Sequence, residues 1–563
     1  MITRREFVTA ATALAALGAS GVGGTGRLMA QGKLSEAELL AFQPLGNVTL
    51  LHVTDIHAQL VPMLFREPSI NIGVGDAKGK VPHVVGDQFV KMFGLKPGSA
   101  EAHALTYLDF ASLARQYGRM GGLDRIATIV KSVRAARGAN TLLLDGGDTW
   151  TNSWTALKTK GADMVGAMNL LKPDAMTAHW EFTLGEARVK EIVDGLPFAF
   201  LAQNVRDTEF EDKVFEPYKM FERGGVKIAV IGQAFPFTPI ANPRWMIPKW
   251  GFGIRDQEMQ KVVDEVRGAG AGLVVVLSHN GFDVDRKMVS KVSGIDVILT
   301  GHTHDAVPQV TKVGKTLMVA SGSHGKFVSR LDLDVQGREV KAFRYRLIPV
   351  FSDAIRPDAE MSAYISKARE PFKAELGKEL GRTESLLYRR GNFNGTLDDV
   401  ICDAILAERD AEIALSPGIR WGTSVLPNTA ITFEDITNGT AMSYPNCYRM
   451  KMSGKMLKDI LEDVADNIFN PDPYYQQGGD MVRTGGLGFT IDINKQIGSR
   501  ISDMTILKTG KAIEPGKDYV VAGWASINQG TEGPPIWDVI AKYLTRVKTV
   551  KVDRADAVKV IGA

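Results

Sequence analysis

The sequence predicts a layered α/β sandwich followed by a smaller α+β C-terminal domain. Three observations carry that prediction. Over residues 48–350, short β-rich apolar runs alternate with helical stretches, the pattern of an α/β layered domain. Acid and histidine clusters stand directly behind several of those runs, where the loops of an α/β sheet present ligands. A charged Ala/Lys/Glu-rich stretch, 353–384, then separates this region from a second one, 385–563. At 563 residues the chain can build two or more domains with full cores.

Residues 1–30 read as an export signal. Arg4-Arg5-Glu6-Phe7 precedes a mild Ala/Leu/Gly stretch, 8–24, and a small-residue exit near Ala30. The adjacent arginines match the twin-arginine pattern and predict a periplasmic location; a cytosolic amphipathic N-terminus is the competing reading. The apolar stretch is too short and Gly-rich for a membrane span, so no membrane association is expected after export. The net charge of +3 falls to about +1 without these residues, which gives no support for nucleic-acid binding. Cys402 and Cys447 are too few for a disulfide framework. One bridge in an oxidising compartment and two buried thiols are both open.

The remaining elements follow in chain order. Candidate strands are 48–54, 141–144, 198–202, 227–232, 273–278, 296–300 and 316–320. A helix is expected over 121–136, opened by Gly121-Gly122. Residues 61–118 form a long insertion with two histidines, His83 and His103, and long loops in compact domains are usually functional or mobile. The stretch 353–384 reads as a solvated linker helix. In the second domain, 398–412 is an amphipathic helix leading to a strand at 413–415 and the turn Ser416-Pro417-Gly418-Ile419-Arg420.

Five acid or histidine clusters occur in order, four of them behind β-rich runs. They are Asp55-Ile56-His57, Asp145-Gly146-Gly147-Asp148, Ala178-His179-Trp180-Glu181, Ser278-His279-Asn280 and Gly301-His302-Thr303-His304. A dinuclear metal centre explains them economically. Such a centre needs about four protein ligands per ion and one shared ligand, and carboxylate can bridge where imidazole cannot. Asp148 is the natural bridge, with Gly146 and Gly147 letting the backbone turn sharply beneath it. Asp55, His57 and one histidine of the Gly-His-Thr-His pair can complete one site. His179, His279 and the other histidine can complete the second. Mixed imidazole and carboxylate suits Mn, Fe or Zn better than Ca or Mg. His52, on the strand before Asp55, reads as a core residue, and His324 has no assignable role.

These motifs, with Gly121-Gly122-x-x-Arg125, resemble the calcineurin-like metallophosphoesterases. With the C-terminal Ser416-Pro417-Gly418-Ile419-Arg420-Trp421-Gly422 segment, the chain is similar to the bacterial 5′-nucleotidases over almost its whole mature length. The resemblance implies a metallophosphoesterase-type sandwich. It implies Asp55, His57, Asp148 and His304 around one metal, and Asp148, His179, His279 and His302 around the other.

One departure separates subfamilies. Nucleotidases usually carry Gly-Asn-His-Glu where this chain has Ala178-His179-Trp180-Glu181. Their catalytic histidine has become Trp180, and indole cannot donate a proton as a general acid. A phosphate monoester expels an alkoxide, which needs that help. A thiolate or persulfide leaves at a far lower pKa and needs it much less. The pattern therefore resembles the SoxB branch of sulfate thiol hydrolases. That resemblance implies two Mn(II) ions; the donor set leaves Zn or Fe as alternatives, and a monomer is expected. Its expected substrate is a cysteine S-thiosulfonate on a SoxYZ-type carrier protein, from which it releases sulfate.

Arg420 matches the arginine of the nucleotidase substrate loop and would clamp a sulfonate bidentately. Tyr444 matches one of the two base-stacking aromatics, and Tyr474-Tyr475 could supply the other. Packing tyrosines are the competing reading. Two other functions stay open: a periplasmic 5′-nucleotidase or related phosphoesterase, and a metal-loaded binding protein without catalysis.

Overall fold

The apolar run Val48–Val53 forms a strand buried on both faces, and its period-2 alternation sets the layering. Val48 and Leu50 join a core between two sheets. Leu51 and Val53 point the other way, into a core shared with helices. The computed structural model describes residues 34–552 and 557–563. The expected export signal lies outside them.

The first sheet runs in the order Glu339–Pro349, Phe327–Gln336, Val48–Val53, Thr141–Asp145, Ala175–Met176 and Ala199–Phe200. The second runs Thr311–Val313, Thr316–Ala320, Val297–Thr300, Leu273–Ser278, Val226–Gln233 and Tyr218–Arg223. Their inner faces meet through Leu142, Leu144, Val230, Val275, Leu277, Val297 and Leu299. Helices Leu123–Arg137 and Ala162–Leu171 cover the outside of the first sheet, and Asp256–Gly268 and Phe282–Lys291 the outside of the second. The result is the expected sandwich. Each fully buried Val, Leu or Ile in it contributes roughly 1.5–3 kcal/mol by leaving water. Parallel register places strand ends level: Val53 pairs with Asp145, and Ser278 with Thr300. The acid and histidine loops therefore start from one rim.

The strand at 198–202 is shorter than expected, Ala199–Phe200. The hairpin Phe327–Gln336 and Glu339–Pro349 was not legible in the sequence. Its charged residues Arg330 and Asp332 are buried and paired to each other, which hides its alternation.

The stretch 353–384 is not one solvated helix. Ala359–Arg369 buries Met361 and Ile365 in the first domain's core. Lys373–Leu376 follows, and Glu379–Thr383 is already a strand of the second domain, paired to Thr429–Thr432 and Thr549–Val550. Its charges Glu379 and Arg382 are exposed while Leu380 and Thr383 are buried, so composition alone concealed it.

The second domain holds two further four-stranded sheets, one of them built on Ile413–Ser416, with the amphipathic helix Thr396–Arg409 packed beside it. Its apolar core takes in Trp154 and Trp180 of the first domain, so the two domains share buried surface. The 61–118 insertion carries three helices of six residues or more and touches both domains. The backbone N–H of Arg66 donates to Ser424 Oγ, and that of Ile72 to Asn392 Oδ1. Cys402 and Cys447 are buried and form no disulfide. Among the described residues, no helix is long and apolar enough to cross a membrane.

Candidate metal centre

The loop after Val48–Val53 and the loop after Thr141–Asp145 are laced together. Asp55 N–H donates to Gly147 O at 2.8 Å, and His57 N–H to Asp148 O at 2.7 Å. Gly146 is required there: a Cβ would fall 2.4 Å from Thr54 Oγ1. Gly147 turns at φ +91 with a Cβ position 2.9 Å from Ala178 Cα. Asp55, His57, Asp148, His302 and His304 all hold left-handed backbone, φ between 50 and 74. For non-glycine residues this costs about 1–2 kcal/mol each, and such strain collects at functional sites.

Those turns bring all seven predicted side chains into two groups. Asp55, His57, Asp148 and His304 form one, and Asp148, His179, His279 and His302 the other; within each, the ligand atoms lie within 4.8 Å of one another. Asp148 alone belongs to both. Its Oδ2 lies 3.1 Å from His279 Nε2 and 3.3 Å from His179 Nδ1. Its Oδ1 accepts from the Trp180 backbone N–H at 2.7 Å.

The far nitrogens of three of the rings are held too, which fixes the ring faces that point inward. His279 Nδ1 sits 2.6 Å from Gly146 O, His179 Nε2 3.2 Å from Asn242 Oδ1, and His302 Nε2 2.8 Å from Gln477 O. Glu181 braces the loops from below. Its carboxylate accepts from the backbone N–H groups of Asp148, Thr149, Trp150 and His179. Asp145 does the same for the turn, accepting from Gly147 N–H and Thr149 Oγ1.

The electrostatics fit two cations. Burial lowers His57 to about 4 and pushes His179, His302 and His304 down as well, toward the neutral form that ligates metal. Burial raises Asp55 to about 7. Burial would also raise Asp148, but His179 and His279 outweigh it and hold this carboxyl well below its usual range. His279 rises to about 10, because Asp148 and Asp55 overcome the effect of its burial. His57 Nε2 and His304 Nε2 lie 2.9 Å apart, with Asp55 Oδ1 3.2 Å from the latter. Two neutral imidazole lone pairs beside a carboxylate suit a shared cation. The donor set therefore fits a dinuclear metal site.

Trp180 packs away from solvent, edge-on to Trp421 at 4.8 Å and stacked on Tyr444 at 6.1 Å between ring centres. Trp421 in turn stacks on His57 at 5.2 Å. Tyr444 is half-buried, and its hydroxyl is raised by burial and hydrogen-bonded to Asn242. Arg420 is drawn to the interdomain face. Its guanidinium donates to Thr303 O at 3.3 Å and Gly479 O at 2.6 Å, with Asp480 Oδ1 3.5 Å from Nε. It shares with His302, Asn71 and His83 the wall of a cleft of about 510 Å³ that opens to solvent. Tyr474 lies elsewhere, donating to Asp256 Oδ2, and Tyr475 is exposed.

His52 is a core residue as expected, its Nδ1 2.6 Å from Ser321 Oγ. His324, to which the sequence assigned no role, is fully buried beside the site, 5.6 Å from the His57 ring and 5.7 Å from that of His304. It accepts from Gly422 N–H and stacks on Phe65. Trp421 was visible only as part of the Ser-Pro-Gly-Ile-Arg-Trp-Gly segment. Asn242 and His324 carry no local signal that marks them.

Residues 379–541 match the family described as 5′-nucleotidase, C-terminal domain. Among curated proteins, a snake venom 5′-nucleotidase of Naja atra is 25% identical over 437 residues, covering 69% of this chain and 79% of the relative. UshA of Yersinia enterocolitica is 25% identical over 484 residues, 75% of this chain and 84% of that one. Among solved structures, a 5′-nucleotidase precursor of Thermus thermophilus shares the fold, with TM-score 0.73, 21% identity and coverage of 92% and 100%. The sulfate thiohydrolase SoxB of Thermus thermophilus, in complex with glycerol, superposes with TM-score 0.90 at 35% identity, covering 93% of this chain and 98% of that one. With its two-domain fold, its paired His/Asp groups and that degree of identity, this chain belongs to the SoxB family of hydrolases within the 5′-nucleotidase superfamily.

Proposed function

We propose that this chain is an exported sulfate thiol hydrolase, dependent on two Mn(II) ions, that acts in the periplasm on a SoxYZ-type carrier protein. It removes the terminal sulfonate from a cysteine S-thiosulfonate and releases sulfate. The observation that carries this reading is Trp180. Where nucleotidases place a proton-donating histidine, this chain has an indole packed between Trp421 and Tyr444. Likeness to a protein whose name is sulfate thiohydrolase SoxB supports the same reading.

Asp55, His57, Asp148 and His304 would hold one ion, and Asp148, His179, His279 and His302 the other. When bound, such a pair polarises anionic oxygens and supplies hydroxide at neutral pH. In the overall reaction a water oxygen bonds to the sulfonate sulfur and the S–S bond breaks. The electron pair stays on the departing sulfur, left on the carrier cysteine as a persulfide. A persulfide leaves as an anion, so no protonated side chain is needed at Trp180. Trp180, Trp421 and Phe235 wall the site against water, which strengthens every charge interaction inside it. Arg420, on the cleft wall with His302, holds the anionic end of the substrate.

The 5′-nucleotidase relatives favour a second reading, phosphate release from nucleotides. One experiment separates the two: sulfate release from an S-thiosulfonate-loaded carrier against phosphate release from AMP, with the same manganese-loaded protein.

A further inference from the structure

The Gly301-His302-Thr303-His304 loop is held from outside its own domain. Arg390, in the second domain and 4% exposed, places its fork on two successive carbonyls of that loop. Nη2 donates to Thr303 O at 2.9 Å and Nη1 to His304 O at 2.9 Å. The same guanidinium pairs with Glu67 of the insertion at 3.1 Å and with Asp305 at 3.4 Å. Glu67 is itself pinned by the buried Lys326, 2.5 Å away, next to the strand Phe327–Gln336. Four charged side chains, Arg390, Glu67, Asp305 and Lys326, from three parts of the chain thus meet in the interior, each buried. Burying them is unfavourable unless each is paired and hydrogen-bonded.

The loop they grip needs holding. His302 and His304 both have left-handed backbone, at φ 74 and 60, and glycine would adopt that conformation far more readily than histidine. A planar guanidinium spans two adjacent carbonyls; an ammonium offers a point charge without that fork.

We infer that Arg390 is a positioning residue for the metal centre. From the second domain, backed by Glu67 and Lys326, it fixes the backbone turn that aims His304 into the group with Asp55, His57 and Asp148. The metal centre is then complete only when the second domain and the insertion are docked. The inference rests on the metal-site reading above and is independent of which substrate is cleaved.

The test is manganese binding by the full chain, wild type against Arg390→Lys, followed by elemental analysis and electron paramagnetic resonance. Lysine keeps a partner for Glu67 but loses one carbonyl. The expected result is site-selective: affinity at one of the two sites weakens about 10–100-fold, the range seen when outer partners of ligands are lost. The exchange-coupled two-ion spectrum gives way to that of an isolated ion. kcat falls while KM stays within about twofold. Glu67→Gln, which unpins the guanidinium without touching the loop, gives a weaker change of the same kind and serves if Arg390→Lys does not fold. Wild-type affinity at both sites in the folded variants overturns the inference. Equal weakening at both sites does so as well, since that is what a merely structural role produces. A wild-type protein that binds no metal overturns instead the reading on which it rests.

Discussion

Trp180 donates its backbone N–H to Asp148 Oδ1 at 2.7 Å, so the residue that follows the proposed ligand His179 serves the carboxylate common to both groups through its main chain. Its side chain does something else. The indole, 9% exposed, packs edge-on against Trp421 of the second domain. The position that carries a proton donor in nucleotidases is here part of an interdomain contact.

Replacing that indole should therefore have two separable effects. Trp180→His leaves the backbone bond to Asp148 in place and restores a titratable ring. Hydrolysis of phosphate esters should rise above wild type. Loss of packing should lower stability by about 2–3 kcal/mol. Phosphate release from AMP and a denaturant melt measure the two effects on one preparation.

His179 offers Nδ1 to the site while Asn242 holds its Nε2. His179→Ala should bind one metal where wild type binds two. Activity should fall by roughly 100-fold or more, since losing a ligand costs at least as much as losing its outer partner. Elemental analysis that still finds both sites filled would remove His179 from the ligand set.

Arg420 uses its fork on the carbonyls of Thr303 and Gly479, with Asp480 at Nε. Arg420→Lys should keep the fold and both metals, because Arg390 still holds Thr303. It should lower kcat/KM for the loaded carrier about 10–100-fold, the worth of one charge-assisted hydrogen bond. Unchanged sulfate release would take Arg420 out of the reaction.

Asp163 gives a pH prediction away from the metal loops. It is buried, and among the described residues its Oδ2 has no hydrogen-bond partner. Burial raises it to about 6, against which the Thr159 hydroxyl acts only in part. The folded state thus binds its proton more tightly than the unfolded chain. Its contribution to stability is full below pH 4 and is lost as the pH rises from about 4 to 6, a change on the order of 2–3 kcal/mol. Asp163→Asn should flatten that window and raise stability at pH 7, read from denaturant midpoints at pH 4.5 and 7.

Much of this was legible in the sequence because strand ends and ligands are local signals. Val48–Val53 and Leu273–Ser278 are continuous apolar runs, and the Asp-x-His and Ser-His-Asn clusters follow them directly. What escaped depends on pairing across the chain. Arg330 and Asp332 read as surface charge until they are seen neutralising each other under the first sheet. Glu379–Thr383 reads as a charged linker until Thr429–Thr432 lies beside it. His324 sits in an unremarkable Ser-Gly-Ser-His-Gly-Lys loop, and only the fold sets its ring beside His57 and His304. The link from Lys326 through Glu67 to Arg390 joins residues hundreds of positions apart, for which no spacing rule exists.

The proposed metal centre cleaves a sulfur–sulfur bond. The most direct test is the rate of sulfate release by the manganese-loaded protein from a carrier bearing a cysteine S-thiosulfonate, set against phosphate release from AMP. Sulfate turnover is expected in the ordinary enzymic range, about 1–1,000 per second, with phosphate release at least a hundredfold slower. Phosphate release at about 10 per second, with no sulfate from the loaded carrier, would contradict it and make the chain a nucleotidase.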